Sequence, residues 1–200
     1  GSNGVSKLRL WQAKAPSFDM SSFNAGNYNT AISQSASAEL ISKILYPNDN
    51  HTEGKILRLR QQYFFSAASI ADILQNHLNQ YGTLDNLADK VAIQLNDTHP
   101  TVAIPEMMRI LLDECSYEWD AAFDICRKVF AYTNHTVMSE ALEKWNADIF
   151  RSTLPRIWQI VCEMDRRCRA DLAKAFPGDQ GKIDYMAIIG DNQVRPANIC

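Results

Sequence analysis

The chain contains three short motifs that each combine amide, carboxylate, imidazole or hydroxyl side chains within five residues. They are Tyr46-Pro47-Asn48-Asp49-Asn50, Asn96-Asp97-Thr98-His99-Pro100 and Tyr132-Thr133-Asn134-His135-Thr136. Such side chains donate and accept hydrogen bonds in fixed directions, which is what a pocket that binds sugar hydroxyls requires. The motifs therefore predict a site for a hydroxyl-rich ligand.

Each of these side chains also has an ordinary structural explanation. The imidazole of His135 can bind a sugar hydroxyl, or it can tie its loop to nearby backbone. Asp97 can cap a helix, and Asp49 and Asn50 can form an Asx turn. Arg58 lies in a helical pattern, where a solvated charge is the usual role. Residue types alone leave both explanations open.

Two further functions are compatible with the same residues. Asp49 and Asp97 near a sugar would suit a retaining glycosidase, with one as the acid–base group and the other as nucleophile. A helical interaction module that carries polar loops by coincidence is the other alternative. A response to an added oligosaccharide would separate this module from a sugar-binding protein.

The second and third motifs follow short apolar runs, at 91–95 and 129–132, that predict buried strands. Between them, amphipathic helices are predicted at 103–114 and 119–128. A strand, helices and a second strand in this order are typical of a parallel crossover. Open α/β sheets bind ligands at the carboxyl ends of their parallel strands, so we expect these two motifs to lie there.

The rest of the chain is predicted to be mostly helical. Helices are expected at 27–34, 37–45, 53–79, 140–145, 147–152 and 155–175, and a polar connection at 82–89. Near the end, the runs 185–189 and 194–200 predict two extended segments about the turn Gly190-Asp191-Asn192. The predicted fold class is α/β, rich in helix, with a few parallel strands.

The composition narrows the class of protein. A hydrophobic fraction of 46% supports a core, and a net charge of −3 argues against nucleic acid or an anionic membrane as partner. No apolar run is long enough to span a bilayer and no signal peptide is recognisable, so a cytoplasmic protein is expected. The five cysteines form no CxxC pair or zinc spacing, and buried, reduced thiols are expected rather than a metal site.

The three motifs, in this order and at this spacing, resemble those of the glycogen and maltodextrin phosphorylases. Further matching stretches are Leu8-Arg9-Leu10-Trp11, Ala13-Lys14-Ala15-Pro16, Glu53-Gly54-Lys55, Leu57-Arg58-Leu59, Gln62-Tyr63-Phe64, Glu140-Ala141-Leu142-Glu143, Phe176-Pro177-Gly178-Asp179 and Pro196-Ala197-Asn198-Ile199-Cys200. Members of that family are several times longer. The chain therefore resembles an internal piece of their N-terminal Rossmann-like (GT-B type) domain, with 1–200 as one partial domain without an internal boundary. At His51, animal glycogen phosphorylases carry an aromatic residue, so the chain looks closer to the bacterial maltodextrin type.

The resemblance implies a reaction and a role for each candidate residue. The reaction is transfer of a glucosyl unit from an α-1,4-glucan or maltodextrin to phosphate, which gives glucose 1-phosphate. His135 matches the family histidine at the glucosyl unit that is cleaved. The other residues that match substrate contacts are Asp97 and His99 at neighbouring subsites, Asp49 and Asn50 in a gating loop, Tyr46 and Arg58 at the acceptor chain, and Thr136 and Glu140. Ser139 replaces a proline that is usual in the family, so the resemblance does not fix the backbone conformation at Glu140.

The resemblance also implies a cofactor and partners. The full-length enzymes use pyridoxal phosphate on a lysine, but no lysine here has a matching context. We therefore expect no cofactor on these 200 residues, no catalytic residue among them and no activity from them alone. The implied partners are the glucan, the rest of the parent chain and a second copy in a homo-oligomer, with no nucleic acid and no membrane. The chain by itself is expected to self-associate or to be marginally stable.

Overall fold

A computed structural model describes residues 3–15 and 17–200. The matching stretch that ends at Pro16 is therefore described only as far as Ala15, and Gly1 and Ser2 also lie outside the described residues. The chain divides into two compact units, Gly1–Ser69 and Ile70–Cys200. Each unit is described by itself.

The first unit contains helices α1 (Met20–Asn24) and α2 (Tyr28–Lys43) and the beginning of α3 (Thr52–Tyr81). Asp19 caps α1, because its carboxylate accepts a hydrogen bond from the Ser22 N–H at 2.9 Å. The prediction of two helices at 27–34 and 37–45 is wrong, since α2 is continuous. The two residues between them, Ser35 and Ala36, include no glycine or proline that would end a helix.

The long helix α3 confirms the helix predicted at 53–79 and extends it slightly at both ends. Its apolar residues Leu59, Ile70 and Leu74 are buried, as the three- and four-residue spacing indicated. Gly82 follows the helix with a φ of 72°, the left-handed conformation in which helices commonly end. Part of the polar connection predicted at 82–89 is the short helix α4 (Leu87–Lys90).

A pair of parallel strands lies in the second unit. Strand β1 (Ile93–Asn96) pairs with β2 (Phe130–Thr133), with Ile93 opposite Phe130 and Asn96 opposite Thr133. Helices α5 (Ala103–Arg109) and α6 (Trp119–Val129) connect them, and α5 continues into a π-helical turn, Ile110–Glu114. The predicted parallel crossover and the α/β class are thereby confirmed.

A buried carboxylate lies inside this crossover. Glu106 of α5 is 2% exposed, and both of its carboxylate oxygens accept hydrogen bonds from Arg109 at 2.9 Å. Arg109 is also 2.8 Å from Glu114 in the π-helical turn. A buried charge needs such a partner. The same stretch of chain also buries the apolar side chains of Val102, Met107, Met108 and Leu111.

The remaining elements form a helical layer with a small antiparallel sheet. The helices are α7 (Ala147–Thr153), α8 (Pro155–Ala175) and α9 (Gln180–Met186). The strands are β3 (Trp145–Asn146), β4 (Ile189–Gly190) and β5 (Gln193–Val194), in the order β3-β5-β4. Proline at the start of α8 suits a first helical turn, and the helix predicted at 155–175 is confirmed.

The helix predicted at 140–145 is wrong. Only Ser139–Ala141 forms a short 3₁₀ turn, and Trp145 begins β3. Trp145 is 8% exposed and stacks on Phe150 with a ring-centroid distance of 5.4 Å. Its burial against the next helix, together with pairing to Val194, favours the extended backbone over a helix.

The end of the chain differs in part from the prediction. The turn 190–192 does connect two strands, and Asp191 and Asn192 both have a φ of 53°, as a two-residue type I′ hairpin loop requires. Tyr185, however, belongs to α9, which Asp179 caps by accepting from the Lys182 N–H at 3.0 Å. The extended run predicted at 194–200 ends after Val194, because Pro196 has no N–H and begins the 3₁₀ turn Pro196–Asn198.

The structure tests the expectations for the cysteines and for membrane-spanning segments. All five cysteines are free thiols, but only Cys126 is buried, so the expected burial holds for that one residue. Within residues 3–15 and 17–200, no helix has the length and apolar character that crossing a membrane demands.

Candidate functional site

The second and third motifs meet where β1 and β2 end. The Asp97 N–H donates to the Thr133 carbonyl at 2.8 Å, which extends the parallel ladder one residue beyond β1. The Gln94 side chain donates to the Thr133 hydroxyl at 2.6 Å. The predicted position of these two motifs, at the carboxyl ends of neighbouring parallel strands, is confirmed.

Asp97 turns the chain out of β1. Its φ of 67° is in the left-handed region, and its carboxylate accepts the Thr98 N–H at 2.7 Å. Helix α5 begins after Val102, which makes no side-chain capping hydrogen bond. Asp97 is therefore a turn residue and not a helix cap, and its carboxylate remains half-buried at the end of the sheet.

His135 lies in the loop that follows β2, and its side chain is exposed. Its Nε2 atom is hydrogen-bonded to Oδ1 of Asn96, the last residue of β1. The loop is held by Asn134, whose amide oxygen accepts from the Thr136 N–H at 2.9 Å. His135 is thus oriented by a side chain from the neighbouring strand and not by backbone, and its second ring nitrogen makes no hydrogen bond to the described part of the chain.

A cavity of about 500 Å³ is lined in part by the segment 139–144, which follows the His135 loop along the chain. Glu140, in the 3₁₀ turn Ser139–Ala141, is exposed at its wall, and the half-buried Glu143 and Arg195 lie in the same wall. The buried Thr98 donates from its hydroxyl to Glu143 at 3.0 Å, so the loop after β1 is connected directly to the wall of this cavity. His99, the next residue, is exposed.

Tyr132 of the third motif lies in a second cavity, of about 650 Å³, with Leu95, Phe130 and Cys200 in its wall. Its hydroxyl is buried and has no hydrogen-bond partner in the part of the chain that the structure describes. Burial raises the pKa of Tyr132, and the nearby Cys200 and Asp97 add to this effect. Tyr132 is the first residue of the third motif, but it is not among the predicted substrate contacts.

The first motif belongs to the other compact unit. Arg58 of α3 lies 3.1 Å from the Asp49 carboxylate, so the two predicted residues form an ion pair. The Asn50 N–H donates to the Asn48 side chain at 2.9 Å, which is the Asx turn considered above. Tyr46 has a φ of 54° and is 86% exposed. The loop therefore presents its aromatic ring to solvent while its carboxylate holds Arg58.

His51 and Gly54 fix this loop to the beginning of α3. The Gly54 N–H donates to Nδ1 of His51 at 3.0 Å, which satisfies one of the free amides of the first helical turn. An accepting nitrogen carries no proton, so the 3.4 Å approach of the same atom to Glu53 is not an ion pair in this state. Gly54 is buried, and a Cβ atom there would overlap the carbonyl oxygen of Asn48.

Sequence reasoning missed three residues of these arrangements: Asn96, Glu143 and His51. Asn96 and Glu143 both lie inside stretches that were singled out, so the signal was present but their neighbours were chosen. His51 entered the sequence analysis only by comparison with the aromatic residue of animal glycogen phosphorylases. Its capping role was not predicted, because imidazole is not among the usual N-cap residues. No group of histidine, cysteine and acidic side chains able to hold a metal ion occurs within the described ranges.

Polar loops at the carboxyl end of a parallel strand pair in a helix-rich α/β chain define a candidate small-ligand site. The family of proteins described as carbohydrate phosphorylases matches residues 1–200. The chain belongs to this family, and the predicted membership is confirmed.

Several glycogen phosphorylases are similar to the chain. One from Chlamydia trachomatis is 44% identical over 198 residues, which are 98% of this chain and 24% of the relative. The muscle form from Ovis aries is 46% identical over 206 residues, again 98% and 24%. One from Saccharomyces cerevisiae is 47% identical over 191 residues, 95% and 21%. The chain thus spans about a quarter of the length of these relatives, and a bacterial enzyme is among them.

Proposed function

We propose that the protein that carries this chain is an α-glucan phosphorylase, which transfers a glucosyl unit from an α-1,4-glucan to phosphate and gives glucose 1-phosphate. The chain is part of its N-terminal domain. The observation that carries the proposal is the convergence of Asn96, Asp97 and His135 at the end of the β1–β2 pair, in a chain 44–47% identical to glycogen phosphorylases. Side chains of this kind suit the hydroxyls of a glucosyl unit.

In the second unit, the residues of this chain bind and orient the sugar. His135 contacts the glucosyl unit that is transferred, and Asp97 and His99 contact the glucan at neighbouring subsites. Thr136 and Glu140 supply further contacts. An exposed imidazole with one free nitrogen and a half-buried carboxylate in a rigid turn support these roles, because neither side chain needs to be reorganised when a hydroxyl arrives.

In the first unit, Arg58 and Tyr46 contact the acceptor part of the glucan, and Asp49 and Asn50 belong to a loop that controls access. The ion pair between Asp49 and Arg58 supports a shared role, since the carboxylate of the loop holds the guanidinium that contacts the glucan. A guanidinium donates several hydrogen bonds in fixed directions, which suits vicinal hydroxyls.

The cofactor that such an enzyme uses, pyridoxal phosphate, has no fitting site among these residues. A lysine that holds it must present its amine inside a closed pocket. Lys144 lies in the wall of the 500 Å³ cavity, but its side chain is exposed there, as are the side chains of the other lysines. We therefore assign only binding and orientation to the residues described here. A homo-oligomeric assembly and a cytoplasmic location complete the proposal.

Replacing His135 with alanine in the full-length enzyme is expected to lower kcat/KM for maltoheptaose phosphorolysis about five- to thirtyfold, through the loss of one oriented hydrogen bond of ~1–2 kcal/mol. Most of the loss should be in kcat, because the contact is at the reacting sugar. Arg58→Ala should raise KM and leave kcat nearly unchanged. The measurement is the initial rate of glucose 1-phosphate formation.

Val137→Ala is the matched control, because Val137 is 97% exposed in the same loop as His135 and should change neither constant. An unchanged kcat/KM for His135→Ala would show that the histidine is structural. The 200-residue chain alone is expected to give no glucose 1-phosphate. Reducing sugar released by either protein without phosphate would instead support the glycosidase alternative.

A further inference from the structure

Asn96 is the one side chain that the described structure shows hydrogen-bonded to the imidazole of His135. It is the last residue of β1 and lies opposite Thr133 of β2, so its position is set by the parallel ladder. His135 follows β2 by two residues and lies in the turn held by Asn134. The amide of residue 96 and the imidazole of residue 135 are therefore brought together by the register of the two strands.

The direction of this hydrogen bond decides the chemistry of the free nitrogen. The Asn96 oxygen is an acceptor, so Nε2 of His135 must carry the proton. In a neutral imidazole the other nitrogen, Nδ1, is then unprotonated and accepts hydrogen bonds. An exposed Nδ1 of this kind receives a hydroxyl donor and does not donate to a hydroxyl oxygen.

We propose that Asn96 is a positioning residue that fixes His135 in the Nε2–H tautomer and so makes Nδ1 an acceptor for a glucan hydroxyl. The ligand part of this inference rests on the proposed function. The positioning part does not, because it concerns only two side chains of this chain. A free imidazole in water exchanges between both tautomers, whereas a ring fixed by Asn96 presents one of them to the substrate.

The test is nitrogen NMR of the imidazoles in the full-length protein, labelled with ¹⁵N at histidine, at a pH of about 8.5, where ordinary imidazole is neutral. His135→Gln identifies the signals of residue 135. In the unmodified protein we expect limiting shifts, with Nε2 protonated and Nδ1 unprotonated. Asn96→Leu keeps the side-chain size and removes the acceptor, so both nitrogens should move toward the averaged shifts of a tautomer mixture. Asn96→Asp restores an acceptor and should restore the limiting shifts.

Gln94→Leu is the matched control. Gln94 lies on the same face of β1, two residues earlier, and makes a comparable cross-strand hydrogen bond to Thr133 at 2.6 Å. Its loss should affect stability as Asn96→Leu does but leave the His135 shifts unchanged. Unchanged shifts in Asn96→Leu, or equal changes in both variants, would overturn the positioning role.

Titration with maltoheptaose completes the experiment. We expect it to shift Nδ1 of His135 in the unmodified protein, with an affinity about five- to tenfold weaker in Asn96→Leu and recovered in Asn96→Asp. If the tautomer responds to Asn96 as expected but maltoheptaose moves no His135 signal at saturating concentration, the positioning role is upheld and the glucan function of the site is overturned. The two failures are therefore distinguishable.

Discussion

Asp165→Ala is expected to lower the free energy of unfolding by about 2–4 kcal/mol, because it removes a buried carboxylate that accepts hydrogen bonds from a guanidinium and from a strand amide. Asp165 is 9% exposed on α8. One of its oxygens accepts from Arg169 at 2.8 Å, and the other accepts from the Ile189 N–H at 2.9 Å, where β4 begins. Without the carboxylate, the Ile189 N–H would lose its acceptor, and the Arg169 guanidinium would lose one of its acceptors.

The loss of stability should extend to the β4–β5 hairpin. Arg169 also bonds Asp184 of α9 at 2.9 Å and donates to the Ile189 carbonyl, so one side chain connects α8, α9 and β4. The hydrogen bond that Arg169 donates to Asp165 raises the pKa of the Arg169 guanidinium and favours its charged form. Asp165→Asn retains an acceptor for the strand amide, and we expect it to cost about 1–3 kcal/mol.

Asp171→Ala is the control on the same helix. Asp171 pairs with Lys174 at 2.9 Å, but both side chains are more than three-quarters exposed, so the expected cost is about 0–1 kcal/mol. Urea unfolding followed by circular dichroism compares the three variants. Equal midpoints for Asp165→Ala and Asp171→Ala would show that burial of the first pair is unimportant.

The regular elements of this fold could be predicted from the sequence because their apolar residues repeat at one period. Helices α3 and α8 and the β1–β2 crossover all follow that rule. The region around Trp145 does not follow it. Its strand has two residues and depends on pairing with Val194, which lies far along the chain. A pattern read over neighbouring residues contains no information about such a partner.

The candidate site likewise has one part that the sequence predicts and another part that it does not predict. The meeting of the second and third motifs was predictable, because the carboxyl ends of parallel strands lie at one edge. The pairing of His135 with Asn96 and of Thr98 with Glu143 was not, since both depend on the strand register and on a loop path. The sequence predicted which polar side chains lie at the ends of β1 and β2, and the register of these strands determines which of them are in contact.

Gly54, in the first unit, is a residue whose role depends on the absence of a Cβ atom. The stretch Glu53-Gly54-Lys55 was noted only as a match. Glycine normally weakens a helix by about 1 kcal/mol relative to alanine, so composition alone would favour replacement. The structure shows why glycine is needed, because the carbonyl of Asn48 occupies the place of a side chain.

Gly54→Ala is accordingly expected to destabilise the chain by about 3 kcal/mol, the upper end of the usual cost of overpacking. A Cβ at this position would overlap the Asn48 oxygen, and it would lie 2.9 Å from the carbonyl carbon and 3.1 Å from Cα of Asp49. These obstructing atoms are backbone, so no side-chain rotation relieves the overlap. The loop 46–50 must move away from α3, which would also separate Asp49 from Arg58.

Gly181→Ala is the matched control, since a Cβ there meets only Asp179 at 3.6 Å, an ordinary contact. In α9 the same substitution should stabilise by about 0.5–1 kcal/mol. The two variants are therefore expected to shift the urea midpoint in opposite directions. In the full-length enzyme, displacement of the loop should raise KM for maltoheptaose in Gly54→Ala about as much as Arg58→Ala does, because both remove the oriented guanidinium. A Gly54→Ala protein with unchanged midpoint and KM would mean that the loop adapts to the added methyl group and that the close approach of Asn48 is not required.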